Sequence, residues 1–315
     1  MKKHNFSFDL NSLQTYTDEL GGLLLTEAVA KAKTAEACYI QSGIKGTQAI
    51  NLLTSTLNVV DGTCGWSPSG TTTFTQRDIS VCAYKVNEAL CPADLNTYWA
   101  GQFLNAGSYN ESVPFEAQIA KLKQEQISMF IENKIWQAAT SASGGTDCFN
   151  GLLKLTSTAV TSAEQVNFTP TGSTSAITST NALTQVDLLI ASLPDAVLNR
   201  SDLVVMMSNQ AYRNYVVNLR TANYFHYTPE GAGVDFTTYH PATNIKVIGV
   251  PGLAGSNRVI LAPASEVVIG VDLMDDSERL DMFYSKDFDE VRVRCNFKLG
   301  VQIAFPENIV SNGLA

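Results

Sequence analysis

Alternation sustained over an unusual length constrains this chain most. From Val291 to Phe305 every odd position is apolar: Val291, Val293, Cys295, Phe297, Leu299, Val301, Ile303 and Phe305. The positions between them are Arg292, Arg294, Asn296, Lys298, Gly300, Gln302 and Ala304. A period of two puts one set on the buried face of a strand and the other on its open face. Strands usually run about 5–6 residues. This segment predicts one of roughly 15 residues, about 50 Å long at about 3.3 Å per residue. A compact enzyme seldom needs such a strand, whereas an extended, plate-like subunit does.

A second long element stands earlier. Between Pro114 and Thr140 there is no Gly and no further Pro. Phe115, Ile119, Leu122, Ile127, Phe130, Ile131 and Ile135 recur at spacings close to 3.6, the signature of an amphipathic helix. Pro114 suits a first turn and Glu116 the positive end of the helix dipole. The run Ser141-Ala-Ser-Gly-Gly145 ends it. At 1.5 Å per residue the predicted helix is about 40 Å long.

Apolar residues make up 45% of the chain, which places it among folded proteins, and charged residues only 16%. A surface so poor in charge suits one that neighbours cover. The net charge of −9 argues against phosphate-driven nucleic-acid binding, which needs a basic footprint. No window of 18 apolar residues exists to span a membrane. Met1-Lys-Lys-His-Asn is basic but lacks the apolar core of a signal peptide. An intracellular, soluble protein is the expectation.

The six cysteines stand at 38, 64, 82, 91, 148 and 295, with no C-x-x-C pair, and the three histidines at 4, 226 and 240. Zinc and redox motifs are therefore unsupported, and no metal or cofactor is expected. Free thiols are the expected state. A Cys64–Cys82 bridge across a hairpin is the weaker alternative.

Residues 1–17 are polar and read as an arm, and Asp18 suits the cap of a helix over about Glu19–Cys38. Residues 55–90 change character. Gly62, Gly65, Ser67-Pro-Ser-Gly70 and Thr71–Thr73 mark a turn between strands, and Phe74 to Val86 is β-prone. This predicts a long hairpin with too few core residues to bury itself. Strands are predicted at Leu152–Leu155, Gln165–Phe168, Leu203–Met207, Ile245–Val250, Val259–Ala262, Val267–Val271 and Arg279–Ser285. Helices are predicted over Thr184–Val197 and after Ser208, and Ala222–Thr243 reads as a long exposed loop. The whole is α+β.

Site motifs mostly fail. There is no H-E-x-x-H, G-x-S-x-G or P-loop. Gly249-Val-Pro-Gly252-Leu-Ala-Gly255-Ser reads as a turn between strands. Asp272, Asp275, Asp276, Glu278 and Asp281 lack calcium-loop spacing and read as a solvated turn or half of a contact with a neighbour. His226 and His240 lie in a Tyr-rich loop that offers little as a catalytic pair.

The order of parts resembles the tailed-bacteriophage major capsid proteins of the Hong Kong 97 fold. Three stretches carry the likeness: Phe149-Asn-Gly151-Leu-Leu just after the long helix, Asp202-Leu-Val-Val-Met-Met-Ser-Asn-Gln-Ala-Tyr212 running from strand into helix, and Val267-Val-Ile-Gly-Val-Asp272 before the alternating end. The resemblance implies an N-terminal arm (1–40) and an E-loop hairpin (55–95). It also implies a peripheral domain (41–54, 96–150 and 273–315, with the spine helix at 114–140 and long antiparallel strands) and a mixed α/β axial domain (151–272). Some members carry an N-terminal scaffolding segment. None is seen here, so scaffolding would be a separate protein or the chain a mature form. Some members also cross-link an E-loop Lys to a neighbour's Asn. No Lys lies between Ile50 and Tyr84, and Lys85 falls at the hairpin's base, so covalent chainmail is not expected.

The function implied is that of a shell subunit and not an enzyme. It would assemble with copies of itself into pentamers and hexamers of an icosahedral head around double-stranded DNA, held without sequence-specific binding. A portal and any decoration proteins would join it, the particle forming in the bacterial host cytoplasm with no membrane involved. Arg77, Lys85, Arg292, Arg294 and Lys298 are the candidate assembly contacts. Alternatives are an encapsulin-like nanocompartment shell, a cytosolic α+β enzyme with an unrecognised site, and a phage tail or neck component.

Overall fold

The computed structural model describes residues 33–59, 61–62, 64, 70–90, 115–157, 167–168, 177–222, 237–272, 281–285, 287–288 and 290–312. The polar arm, the hairpin tip, His226, most of the 222–243 loop and Asp275–Glu278 lie outside them.

The described residues begin with a short helix α1 (Lys33–Ala37) and strand β1 (Tyr39–Gln41). Strands β2 (Thr47–Thr56) and β3 (Thr71–Ser80) form the hairpin, in register from Thr47↔Ser80 to Thr56↔Thr71. It therefore begins and ends earlier than residues 55–95. The reason lies at Val81, whose amide donates to the Gly46 carbonyl at 3.0 Å and closes the hairpin. Strand β4 (Cys82–Leu90) leaves it for another sheet. The long helix α2 spans Phe115–Gln137. Its 23 residues make a rod of about 35 Å at 1.5 Å per residue.

Leu152–Leu155 forms a helical turn, α3, where a strand was expected. Gly151 caps it, and the Lys154 and Leu155 amides bond back to the Gly151 carbonyl. Strand β5 is Asn167–Phe168. The helix expected over 184–197 is two helices, α4 (Ala182–Ala191) and α5 (Asp195–Leu198). Pro194 has no amide to continue the first and sits as the N-cap of the second. Strand β6 (Leu203–Ser208) runs into α6 (Asn209–Thr221), where the Ser208 hydroxyl accepts from the Ala211 amide at 3.2 Å. The remaining strands are β7 (Thr237–Tyr239), β8 (Lys246–Val250), β9 (Val259–Pro263), β10 (Val267–Val271), β11 (Asp281–Ser285), β12 (Glu290–Ile303) and β13 (Val310–Ser311).

The predicted long strand is β12, 14 residues or about 45 Å. It organises a five-stranded sheet. β10 pairs along its C-terminal part, β4 and β11 along its N-terminal part, and β1 lies parallel to β10. Its apolar set, Val291 to Ile303, is buried against Ile127, Ile131 and Ile135 of α2. A six-stranded sheet in the order β5-β13-β9-β6-β8-β7 forms the other body. Both of its faces are covered. Val205, Met207, Val247 and Leu261 pack on α4 and α6, while Val204, Met206, Ile248 and Ile260 join the core that contains α2. That double burial explains why β6 is apolar throughout.

A glycine pair lets the hairpin cross the first sheet. Gly270 and Gly300 face each other on β10 and β12. A Cβ at Gly300 would run into the Ser80 carbonyl, and one at Gly270 would stand 2.9 Å from Ile44 and Ile79 Cδ1. The base of the hairpin lies in that gap, where Ile44, Leu52, Ile79 and Val268 form a small separate core.

Candidate assembly surfaces

The open face of the first sheet is assembled from three strands. In the β12–β4 register Arg292 stands opposite Ala89, Arg294 opposite Asn87 and Asn296 opposite Lys85. In the β12–β11 register Arg292 stands opposite Phe283. Side chains at these positions share one face because the alternation is common to paired strands. Lys85, Asn87, Ala89, Phe283, Arg292 and Arg294 line a shallow concavity of about 400 Å³. Lys85 and Arg294 are exposed. Arg292 is oriented by Glu290, with Nη2 2.7 Å and Nε 3.1 Å from Oε1, and its guanidinium lies 4.8 Å from the Phe288 ring centre. Phe288 is itself 69% exposed. Held cations beside exposed aromatics suit carboxylate or phosphate groups on an apolar footing.

The sequence-expected residues part company here. Lys85, Arg292 and Arg294 come together. Lys298, two steps along the same face, is engaged within the chain, its Nζ 2.6 Å from Asp272 Oδ2. Asp272 is not part of a solvated turn, because it is only 1% exposed and continues the β10–β12 register opposite Lys298. Arg77 lies elsewhere, half-buried on β3 opposite Ile50.

The hairpin offers the second surface. Leu53 and Phe74 are cross-strand neighbours on it and are 57% and 78% exposed. Leu57 and Val59, just past β2, are exposed as well. A two-stranded ribbon with so little burial is marginal in water, and paired apolar side chains left open mark a contact surface. The long helix adds Leu122 and Met129, 52% and 64% exposed. Leu122 was expected on the buried stripe, but it is exposed, although its neighbour Lys123 pairs with Glu88 of β4.

Other candidate chemistry resolves into structure. His240 is buried, with Nδ1 2.9 Å from the Tyr215 hydroxyl and Nε2 2.9 Å from Asp187 Oδ1. Burial lowers its pKa, against the opposing pull of Asp187. The Gly249–Ser256 segment is the expected turn between β8 and β9 and contains a 3-10 helix, Pro251–Leu253. Among the described residues no group of three or more His, Cys, Asp or Glu is placed to hold a metal ion. No described helix is long and apolar enough to cross a membrane.

The whole outline is one seen before in solved structures. The satellite phage P4 procapsid structure (including its size determination protein) superposes with a TM-score of 0.57 over 99% of this chain and 93% of that one, at 14% identity. This chain has the fold of a phage capsid subunit. The capsid of an empty GTA particle matches with a TM-score of 0.55, covering 89% of this chain and 88% of that one at 12% identity. A virus-like particle from Pyrococcus furiosus matches at 0.51, covering 94% and 98% at 13% identity. No protein-family model and no curated protein matches the sequence. The capsid fold thus holds here with sequence likeness nearly gone.

Two structural features escaped the sequence reading. Glu132 is 2% exposed on the buried side of α2, and its carboxylate accepts from the Thr34 amide (3.2 Å) and hydroxyl (2.5 Å). Trp136 Nε1 donates to the same hydroxyl at 2.7 Å, tying α1 to α2. A Glu four residues before Trp136, among Ile131 and Ile135, was the available signal. The second is a disulfide. Cys82 and Cys148 are bonded, with Cα atoms 5.7 Å apart, while Cys38 and Cys64 are thiols as expected. The expectation of free thiols at 82 and 148, and the Cys64–Cys82 alternative, both fail for one reason. β4 pairs with β12 rather than with the hairpin's first strand, which carries Cys82 to the end of α2.

Proposed function

We propose that this chain is the major subunit of an icosahedral phage head enclosing double-stranded DNA. The observation that carries this reading is the hairpin. A capsid-fold chain that leaves Leu53 and Phe74 open on a ribbon of two ten-residue strands has a surface that a sibling must cover. Heterologous contacts of this kind close into rings, and rings into shells. In that assembly residues 1–40 act as the arm. The hairpin lies over an adjacent copy. The body around α2 and β12 is the peripheral domain, and the six-stranded sheet with its helices is the axial domain. Lys85, Arg292 and Arg294 meet acidic surface on a neighbour, which suits a chain with a net charge of −9. Arg77 and Lys298 have supporting parts at the hairpin base and beside Asp272. Separate scaffolding and portal proteins, and any decoration proteins, complete the particle in the host cytoplasm, and DNA is retained without sequence readout.

Electron microscopy of the protein expressed alone, and with the products of its neighbouring genes, tests the proposal. Closed shells are expected, and a compact monomer under both conditions would remove it. A second reading, a nanocompartment shell around protein cargo, is compatible with the likeness to a virus-like particle. The contents of purified particles, DNA or an enzyme, separate the two. The basic groove has its own test. Each exposed ion pair is worth about 0–1 kcal/mol, but the contact repeats around a shell. Arg294→Glu should leave a soluble subunit that assembles poorly. Normal shells in sedimentation would free this residue of the role.

A further inference from the structure

The Cys82–Cys148 bond sits where the hairpin takes its direction. Cys82 is the first residue of β4, separated from the last residue of β3 only by Val81. Cys148 follows the end of α2, and Gly151 N bonds back to the Ala138 carbonyl at 2.8 Å. The bond therefore joins the root of the hairpin to the end of the long helix across 66 residues of sequence.

The surroundings hold the sulfur atoms together by other means. Asp147, next to Cys148, accepts from Lys134 Nζ of α2 at 2.8 and 2.9 Å and from the Tyr84 hydroxyl of β4 at 3.0 Å. The same two elements that the disulfide joins are thus clamped by a polar cluster that needs no oxidation. The Cys148 amide also points at the Cys82 sulfur, 3.0 Å away. An amide donor stabilises a thiolate more than a thiol. The two cysteines differ in access, Cys82 being 7% exposed and Cys148 an exposed residue. Cys38, in contrast, is half-buried near Glu132, and desolvation first and that carboxylate second push its thiol up to about 12. Cys295 is buried within β12.

We propose that Cys82 and Cys148 form a redox-operated staple, open in a reducing environment and closed by a low-molecular-weight disulfide, that fixes the hairpin root to the end of the long helix. In the closing reaction the exposed Cys148 thiolate attacks one sulfur of the small disulfide RSSR, forming a mixed disulfide and releasing RS⁻. The Cys82 thiolate then attacks the Cys148 sulfur and displaces the second RS⁻. The two protons lost by the cysteines end on the two leaving thiolates. Two protein thiols and RSSR thus become one protein disulfide and two RSH. Excess small thiol reverses both steps: RS⁻ attacks the accessible Cys148 sulfur and releases Cys82, and a second RS⁻ attacks the small-molecule sulfur of the mixed disulfide, releasing Cys148 and RSSR. A chain made in a reducing cytoplasm carries the open form and closes it after release. The staple is a property of the folded chain and does not depend on the assembly reading.

Full-length protein reduced with a dithiol, freed of it, and treated with oxidised glutathione tests the staple. Differential alkylation and peptide mapping should show Cys82 and Cys148 losing reactivity together, with a linked peptide between them. The unfolding midpoint of the oxidised chain should rise by about 5 °C or more, since closing a loop this long restricts the unfolded state. Cys148→Ser should fold, because the residue is exposed and the Asp147 clamp remains, but its midpoint should ignore oxidised glutathione. The staple is overturned if both cysteines stay alkylatable after oxidation or if the linked peptide joins other cysteines. A wild-type midpoint equal in both states overturns it as well.

Discussion

Strand β6 and the hairpin β2–β3 represent opposite ways for a strand to be stable. All six residues of β6 are buried, with helices on one face and the core of the long helix on the other. Of the ten residues of β2 only Leu52 is buried, and of β3 only Ile79. The hairpin keeps its shape through its ladder and side-chain pairs such as Ser55–Thr72 at 3.0 Å and Gln76–Asn51 at 2.8 Å. Burial within the chain accounts for the first region. The second is rooted at Ile44, Leu52 and Ile79 and left open beyond. A protein built this way buries one sheet in its own core and leaves apolar side chains of the other open.

Substitutions should separate these two roles. Trp136→Ala should have the largest effect on the free subunit. It empties a fully buried site and strips Thr34 of a donor, a cost of about 3–5 kcal/mol in denaturant unfolding. Gly300→Ala comes next, at about 1–3 kcal/mol, because the new methyl meets the backbone of Ser80. It should also loosen the hairpin root, read as faster amide exchange in β2 and β3 with β6 unchanged. If exchange rises equally in both, the hairpin is not a separate unit.

Acid should act on the root through Asp147. Burial pushes this carboxyl up, but Lys134, the Tyr84 hydroxyl and the Ala139 amide together hold it below its ordinary value. Its folded pKa is depressed, so its stabilisation is complete above the ordinary carboxylate pKa and fades as pH falls through the lower folded value. Glu132 has the opposite sign. Burial, the largest influence, raises it against the hydrogen bonds from Thr34, so its contribution weakens as pH climbs from the ordinary value through the raised one. Asp147→Asn should flatten the acid limb of a stability–pH curve by about 1 kcal/mol. An unchanged limb would show that the clamp is dispensable. The smallest effect on the subunit should come from Leu53→Ser with Phe74→Ser, within about 0.5 kcal/mol of wild type, because both residues are exposed. The same pair should abolish or sharply reduce shell formation in sedimentation. A large loss of subunit stability would instead place this surface inside the fold.

The periodic elements were legible in the sequence. Alternation from Val291 onward reports a buried face whatever lies against it, and the spacing of Ile127, Ile131 and Ile135 does the same for the long helix. Contiguous apolar runs such as Leu203–Met207 announce burial on both faces. Short apolar runs do not distinguish states, so Leu152–Leu155 went to a helical turn once Gly151 capped it. Lys85, Arg292 and Arg294 were nameable one by one, but their meeting on one face depends on the register of β4 against β12, which charged side chains do not encode. A second register, that of β10 against β12, set Lys298 on Asp272.

Local chemistry along the chain settled the buried face of β12 and roughly how long the two main elements run, because each depends on neighbours a few residues away. Folding in three dimensions decided which strand left the hairpin for β12, and with it the Cys82–Cys148 bond, the basic groove and the glycine gap. Those are choices between pairings hundreds of residues apart in some cases, such as Gln302 Nε2 on the Asp78 carbonyl at a separation of 224. Only the packing of the whole core ranks such choices, since each individual contact is weak and any one of them has competitors.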